Sequence, residues 1–243
     1  MQIKDKVVIV TGGANGIDAA LIRRFVLEGA KVVIGDIDKE SGHELVTELN
    51  KSNKINVIFV FCDATNFNHL CKLFDTAQNK FGGIDIVCNN AGIGQADEFY
   101  DQTDGWVKIL DTNLKAVIKG TQLGIQYLKK CGGGVIINTA SLAGFYQLES
   151  LPVYTSTKCG IIGFTQSLRD LNNTDKNTSL VKELRKTSSE LVQLIDKFGY
   201  IPMDEVINAF MMAIQDDNLV GDIIMLPKKN TSQIISNSYL ESL

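Results

Sequence analysis

The sequence predicts an α/β fold built on a doubly wound parallel sheet, and three observations carry that prediction. Short apolar runs rich in Val and Ile alternate with segments of helical spacing through the first 140 residues. A glycine-rich turn joins the first apolar run to the first helical segment. The 243 residues are 44% hydrophobic and 21% charged, close to the globular average, which excludes disordered and fibrous chains.

The elements follow one another from the N-terminus. The first two strands, at residues 7–10 and 31–34, are β-branched runs, and each ends at a turn that contains glycine. Further apolar runs predict strands at 56–61, 84–87 and 134–138. Apolar residues at helical spacing predict helices at 19–27, 40–50, 68–81 and 153–171, and one long helix or two at 103–130. Strands that are apolar on both faces indicate helices on both sides of the sheet, in a three-layer α/β/α arrangement.

The pattern changes after Asp170. A polar segment at 171–177 breaks the alternation of strands and helices. The remaining patterns predict helices at 179–198 and 203–214 and one strand at 220–226. No linker or break in composition precedes Asp170, so a single domain is predicted over residues 1–243.

Charge and composition exclude several classes of function. Lys and Arg number 24 against 28 Asp and Glu, so the net charge is −4, and the absence of a basic cluster argues against a nucleic-acid partner. No apolar stretch approaches the roughly 20 residues that span a membrane. Five cysteines without a CxxC pair predict reduced thiols and a cytoplasmic protein. No cluster of His, Cys and Asp has the spacing of a metal site.

The segment TGGANGI at 11–17 is the first candidate binding site. Gly12 and Gly16 allow the backbone to approach a diphosphate, and the helix that begins there offers free N–H groups and a positive dipole. Asn15 and Ile17 belong to the same predicted phosphate loop. The alternative is a tight turn between strand and helix that binds nothing.

Acidic residues end the second and third strands. Asp36 lies 20 residues after Gly16, where a carboxylate accepts hydrogen bonds from both ribose hydroxyls of NAD and repels the 2′-phosphate of NADP. Cys62 and Asp63 end the third strand, where the carboxylate could meet an adenine amino group. The alternatives are that Asp36 starts a loop and that Asp63 caps the next turn.

The fourth strand ends in NNAG at 89–92. Its small residues and side-chain amides could line a cofactor, and they could also pin the end of the strand. The two roles are compatible. The candidate residues are Asn90, Ala91 and Gly92.

Three residues in the second half are candidates for acid–base chemistry. Tyr154 and Lys158 are four positions apart, so a helix places them on one face. An ammonium beside a phenol favours the phenolate and lowers its pKa from about 10 toward neutral. Such a Tyr exchanges a proton with an alcohol or a carbonyl while a nicotinamide exchanges a hydride. Ser141 follows the fifth strand and could hydrogen-bond the same substrate oxygen.

Taken together, these motifs resemble the short-chain dehydrogenase/reductase family. The similarity covers residues 5–170 well and 200–226 more loosely. The matching features are TGGANGI, Asp36, Asp63, NNAG, Asn113 in DTNLKA, Ser141 in NTASLAG, and Tyr154 with Lys158 in VYTSTKCGIIGFT. Within the family, the segments SLAG, PVYTSTKCGIIGFT and AIQDDNLVGDIIML are similar to the 15-hydroxyprostaglandin dehydrogenase-like members.

This resemblance implies a Rossmann-type fold and an oxidoreductase that moves a hydride between NAD and a secondary alcohol or ketone. It implies a lipid-like or steroid-like substrate. Residues 1–140 would bind the cofactor, and residues 141–243 would supply the catalytic and substrate-side half. A homodimer through the helices at 103–130 and 154–171 is also implied.

The resemblance also implies a role for each of four residues. Tyr154 would act as the general acid and base. Lys158 would lower the pKa of that Tyr, and both residues would contact the cofactor, with Lys158 holding its ribose. Ser141 would orient and polarise the substrate oxygen, and Asn113 would hold a water next to Lys158.

Three departures from the family pattern qualify these expectations. Asp18 stands where the family's loop has its third glycine, and a carboxylate beside a diphosphate is expected to weaken NAD binding. The sixth strand, with its Pro-Gly turn, has no counterpart after Asp170, which predicts a missing strand and a shortened second half. Leu151 is apolar where prostaglandin-active relatives carry a polar group. The alternative to an enzyme is a catalytically degenerate relative that acts as a binding or storage protein.

Overall fold

The centre of the fold is one sheet, in which the described residues form eight strands. The computed structural model describes residues 1–50, 55–95, 104–168, 180–186, 202–219, 222–226 and 233–235. The strands are β1 (Val7–Thr11), β2 (Lys31–Asp36), β3 (Val57–Phe61), β4 (Ile86–Asn89), β5 (Val135–Ser141), β6 (Leu180–Lys186), β7 (Ile223–Met225) and β8 (Gln233–Ile235). Their order is β3-β2-β1-β4-β5-β6-β7-β8. Every neighbouring pair is parallel except β7 and β8.

Helices cover both faces of this sheet. They are α1 (Gly16–Leu27), α2 (Lys39–Leu49), α3 (Phe67–Phe81), α4 (Gly105–Leu110), α5 (Ala116–Lys130), α6 (Pro152–Ser167) and α7 (Met203–Gln215). A π-helical turn, Asp111–Lys115, joins α4 to α5, so the helical segment predicted at 103–130 is continuous but locally widened from Gly105 to Lys130. Side-chain caps define the N-termini of two helices. Asp38 accepts a hydrogen bond from the Ser41 amide at the start of α2, and Asn66 accepts from the first-turn amides of α3.

Two apolar layers hold the helices against the sheet. On one face, Phe25 of α1 and Phe210 of α7 pack against β1, β2, β4 and β5. On the other face, Phe74 of α3 and Leu128 of α5 pack against the same strands. All four side chains are fully buried. The predicted doubly wound α/β/α fold is therefore confirmed.

The prediction of a missing sixth strand is wrong. β6 lies between β5 and β7, and all seven residues of β5 pair with it, from Val135 opposite Leu180 to Ser141 opposite Lys186. The sequence LVKELRK contains one β-branched residue and its apolar positions suit a helix, so the local pattern favours the helix predicted at 179–198. The backbone groups along the edge of β5 require partners, and this non-local pairing overrides the weak local preference. The residues at 169–179, where the sequence shortens, lie outside the described part of the chain.

The strand order reverses between β1 and β4. β1 pairs with β2 on one side and with β4 on the other, so the helices that follow β1 and β4 leave toward opposite faces. This reversal opens a crevice at the carboxyl ends of β1 and β4, where open α/β sheets bind their ligands. TGGANGI follows β1 and NNAG includes the last residue of β4, so both motifs lie at that crevice.

Candidate active site

The glycine loop after β1 has the backbone geometry of a phosphate site. Gly12 has φ +71°, and a Cβ there would lie 2.8 Å from the Cα of Ala91. Gly16 has φ +58° and begins α1, and a Cβ there would meet nothing within 4 Å. Gly12 therefore allows the loop to touch the NNAG turn, and Gly16 leaves open space in front of the first turn of α1. Such a cradle fits a diphosphate.

Asp36 is fixed at the end of β2 by backbone donors. Its two carboxylate oxygens accept from the amides of Ala14 at 2.9 Å and Asp38 at 3.0 Å. Asn15 donates its Nδ2 to the Asp38 carboxylate at 2.8 Å, which ties the glycine loop to the loop before α2. Asp36 is partly exposed and lines the crevice, so its charge opposes any further negative charge there.

Cys62 and Asp63 lie on the wall of the same crevice. Burial raises the pKa of the Cys62 thiol to about 12, with smaller contributions from the Asp63 and Asp36 carboxylates, so the thiol is neutral. Asp63 accepts from the Thr65 hydroxyl at 2.7 Å and from the Thr65 amide at 2.9 Å. The Thr65 hydroxyl chiefly lowers the pKa of Asp63. Asp63 thus forms the turn cap that was its alternative role, and its contact with adenine stays a prediction.

Thr11 holds the NNAG turn in place. Its Oγ1 accepts from the amides of Asn90 at 3.0 Å and Ala91 at 3.2 Å. Both the structural role predicted for this turn and its place on the crevice wall are therefore seen. The hydroxyl of Thr11 was not singled out from the sequence, although it begins the loop motif.

The predicted cofactor residues line one groove made of two adjoining cavities. A cavity of about 430 Å³ is lined by Gly12, Asn15, Gly16, Ile17, Asn90, Gly92, Tyr154 and Lys158. A second cavity of about 610 Å³ is lined by Gly12, Asp36, Cys62, Asp63, Asn90, Ala91 and Gly92. Gly12, Asn90 and Gly92 belong to both, so the two cavities adjoin along the crevice. One end of the groove is acidic and lies at Asp36, and the other end lies at Tyr154 and Lys158.

Tyr154 and Lys158 lie side by side on α6, as their spacing predicts. The Lys158 ammonium lies 5.5 Å from the centroid of the Tyr154 ring and donates to the carbonyl of Thr139 at 3.2 Å. Tyr154 is 6% exposed and Lys158 is 5% exposed, so the cation is held in a largely dry site. Ser141 ends β5 and is fully buried, and its Oγ accepts from the amide of Ala143 at 3.2 Å.

Asn113 lies in the π-helical turn and anchors the loop after β4. Its Oδ1 accepts from the amide of Ile93 at 2.8 Å, and its Nδ2 donates to the carbonyl of Ile93 at 2.8 Å. A Cβ at Gly92 would lie 3.4 Å from the Asn113 Oδ1 and 3.7 Å from the Lys158 Nζ. Asn113 and Lys158 therefore meet at Gly92, and the water predicted between Asn113 and Lys158 stays a prediction.

An apolar wall stands beside Tyr154. Leu142, Ala143 and Leu148 are buried against the Tyr154 ring, with Tyr146 and Leu151 packed on their outer side. Leu151, which departs from the family pattern, therefore belongs to this wall. Tyr146 and Leu151 are the partly exposed members of this wall.

Several residues at the site were missed by sequence reasoning. Gln95 accepts from the amides of Val153 at 3.2 Å and Tyr154 at 3.4 Å, and so caps the start of α6. No local signal points to this contact across 59 positions. Thr139 lies two residues before Ser141 on β5, and strand alternation could have placed it on the face of Ser141. Asp18, expected to crowd the loop, is buried and lines both cavities.

The described part of the chain also bears on metal binding and on membrane crossing. It holds no group of three or more His, Cys, Asp or Glu side chains that could bind a metal ion. Among the described helices, none combines the length and the apolar character that crossing a membrane requires.

Comparison with known proteins decides the family. The pattern that defines short chain dehydrogenases matches residues 6–181. The chain belongs to the short-chain dehydrogenase family. A crystal structure of a short chain dehydrogenase from Mycobacterium smegmatis has a TM-score of 0.82 and 28% identity, covering 96% of this chain and 94% of the other.

Individual relatives in the short-chain dehydrogenase family bear on the activity. The chain is 31% identical over 252 residues to 15-hydroxyprostaglandin dehydrogenase [NAD(+)] of Macaca fascicularis, covering 93% of this chain and 92% of the relative. It is 41% identical over 159 residues to an NADP-dependent (R)-specific alcohol dehydrogenase of Lentilactobacillus kefiri, covering 65% and 62%. The expected similarity to 15-hydroxyprostaglandin dehydrogenases is confirmed. Membership of the short-chain dehydrogenase family supports an oxidoreductase with a nicotinamide cofactor.

Proposed function

We propose that this protein moves a hydride between NAD and an apolar secondary alcohol or ketone. One observation carries the proposal: Tyr154 and Lys158 are buried side by side at one end of a groove whose other end is the fixed Asp36 carboxylate. This arrangement provides a proton-transfer group and a cofactor groove in one crevice.

The choice of NAD over NADP rests on the charge at the end of β2. Asp36 lines the second cavity together with Asp63, Asp104 and Asp111, against one cation, Lys108, among the lining residues. An additional phosphate on the adenosine ribose would enter this negative field. The two relatives named above carry different cofactors in their names, so the groove of this chain is the better guide.

Tyr154 is the proposed proton donor and acceptor. When bound, the nicotinamide supplies or accepts the hydride. The buried Lys158 ammonium favours the phenolate of Tyr154, which can then accept the proton of an alcohol and return it to a ketone. Ser141 is the proposed hydrogen-bonding partner of the substrate oxygen, and Asn113 keeps the loop at Gly92 in place against Lys158.

The proposed substrate class follows from the apolar wall at Tyr154. Tyr146 and Leu151 are the partly exposed members of this wall, and their apolar character suits a lipid-like or steroid-like alcohol. Two similar proteins fit this class by name: the 15-hydroxyprostaglandin dehydrogenase and a 3alpha-hydroxysteroid dehydrogenase of Mediterraneibacter gnavus, 35% identical over 178 residues and covering 69% of this chain.

The proposal extends to the single domain of residues 1–243 and to a cytoplasmic homodimer. All five cysteines are free, which suits a reducing compartment. α6 exposes a face of small residues to solvent, formed by Ser156, Cys159, Gly163 and Ser167. Small residues permit close approach of a second helix, which supports a homodimer through α6.

A catalytically degenerate binding protein is the second candidate, and Asp18 is the observation that favours it. A buried carboxylate in the first turn of α1 lines both cavities and opposes a diphosphate. A thermal melt with and without millimolar NAD separates the two candidates. A rise of several degrees with NAD, and a smaller rise with NADP, is expected for the enzyme. A cooperative melt that neither dinucleotide shifts would favour the degenerate protein.

A further inference from the structure

We infer that the Thr139 hydroxyl binds the nicotinamide riboside half of the cofactor. The inference rests on the proposed function and adds a binding residue to which the family resemblance assigns no role. It starts from an unusual group in the structure. The Oγ1 of Thr139 is buried and has no hydrogen-bond partner among the residues that the structure describes.

A buried hydroxyl without a partner is unfavourable for the protein alone. Thr139 is 3% exposed, so the hydroxyl has lost its contact with bulk water. A valine would fill nearly the same volume and would remove the penalty. Other buried threonines of this chain do find partners: Thr121 bonds Asn89 and Asn138, and Thr165 accepts from Asn138. The missing hydrogen bond of the Thr139 hydroxyl is therefore best explained by a ligand that forms it.

The position of Thr139 identifies which half of the cofactor that ligand is. Thr139 lines the cavity that also contains Gly92, Tyr154 and Lys158, and it is absent from the lining of the cavity at Asp36. The carbonyl of Thr139 accepts a hydrogen bond from the Lys158 Nζ at 3.2 Å, so Thr139 is in direct contact with Lys158.

Strand geometry places the Thr139 side chain on the face of the sheet that α1 covers. Thr139 and Ser141 are two positions apart on β5, so their side chains leave the same face of the sheet. Ile137, a further two positions back, packs in the apolar layer with α1. The hydroxyl therefore faces the side of the sheet from which the glycine loop and α1 border the cavity. The ribose hydroxyls and the carboxamide of a nicotinamide riboside are the donors and acceptors that it would meet there.

The test compares Thr139→Val with Thr139→Ser and the unchanged protein. Titration calorimetry measures the Kd of NAD⁺ and, separately, of ADP, which lacks the nicotinamide riboside. Loss of one neutral hydrogen bond predicts that Thr139→Val weakens NAD⁺ binding about 5- to 10-fold. ADP binding is expected to stay within about 2-fold, and Thr139→Ser is expected to keep most of the NAD⁺ affinity because it keeps the hydroxyl.

A thermal melt without ligand provides a second readout. Thr139→Val is expected to melt at the same temperature as the unchanged protein or slightly higher, because it removes an unsatisfied polar group. Thr121→Val is the matched control, since that buried hydroxyl is satisfied: it should lower the melting temperature and leave NAD⁺ affinity unchanged. Reduced affinity with undiminished stability is a combination that a purely structural role would not produce.

Two results would overturn the inference while leaving the proposed function intact. One is unchanged NAD⁺ affinity in Thr139→Val. The other is an equal loss of NAD⁺ and ADP affinity, which would indicate a distorted groove. If the unchanged protein bound ADP but not NAD⁺, the proposed function would fail first, and the role of Thr139 would fail with it.

Discussion

Two buried polar regions lie on opposite sides of β5 and contain similar residues, but one stabilises the fold and the other faces the proposed binding site. Beneath the crevice, between β4, β5, α5 and α6, the side chains of Asn89, Thr121, Asn138 and Thr165 form a closed hydrogen-bonded network. On the crevice side, Thr139, Ser141, Tyr154 and Lys158 are equally buried. There the Thr139 hydroxyl bonds no described residue, and the Lys158 ammonium donates to a backbone carbonyl.

The difference shows how stability and function can be separated within one strand. A closed polar network is fully satisfied by the protein and fixes the register of helices on the sheet. An incompletely satisfied set of polar groups has binding capacity left for a ligand. Substitutions in the closed network should therefore change stability, and substitutions at the crevice should change chemistry and binding.

The largest expected effect is on turnover, at the crevice. Tyr154→Phe removes the proton-transfer group but keeps the ring that packs against the apolar wall, so activity with a secondary alcohol should fall by about 10²- to 10⁴-fold. The melting temperature should change little, and the Kd of NAD⁺ should rise by no more than about 10-fold, the effect of one lost hydrogen bond to the cofactor. Steady-state kinetics with the best alcohol from a screen would check this. Unchanged turnover in Tyr154→Phe would contradict the proposed chemistry.

The next effect is on stability, in the closed network. Asn138→Ala leaves the amide of Asn89 and the hydroxyl of Thr165 without their Asn138 bonds. We expect the free energy of unfolding to fall by about 3 kcal/mol. For a chain of this size, that corresponds to a fall of roughly 6–12 °C in melting temperature. The matched crevice variant is Thr139→Val on the same strand. Equal destabilisation by both variants would remove the distinction between the two regions.

Asp18→Gly should shift the balance at the glycine loop between stability and binding. Removal of the buried carboxylate is expected to strengthen NAD⁺ binding about 5- to 10-fold, since one charge near a diphosphate contributes on the order of 1 kcal/mol. The ligand-free protein should become less stable, because glycine disfavours the helix and a negative charge at its N-terminus is lost.

Asp18→Asn separates charge from crowding in that experiment. It keeps the size of the side chain and removes the charge, so it should give most of the gain in NAD⁺ affinity if repulsion is the cause. If only the glycine variant binds more tightly, steric crowding of the loop is the cause. Weaker binding in both variants would show that the carboxylate assists the cofactor.

The part of the site that could be predicted from the sequence is the part that local motifs determine. Gly12, Asp36 and the Tyr154–Lys158 pair each lie at the end of a strand or on one helix face, so spacing alone places them. β6 could not be predicted because its pairing with β5 depends on an edge formed by distant residues. The cap that Gln95 places on α6 and the unsatisfied hydroxyl of Thr139 likewise depend on contacts that no short segment encodes.

The smallest expected effect concerns two buried thiols, one in the crevice and one in the apolar core. Burial raises the pKa of Cys62 to about 12 and raises that of Cys88 as well, so both are protonated at pH 8 and should react slowly with iodoacetamide. The exposed Cys131 is the reference for rapid labelling. Cys62 lines the groove, whereas Cys88 lies in the apolar layer under α1. Labelling of Cys62 should therefore be the faster of the two and should slow further with NAD⁺. Mass spectrometry of timed digests measures each labelling rate. Equal rates for Cys62 and Cys88, unchanged by NAD⁺, would show that Cys62 is as inaccessible as a core residue.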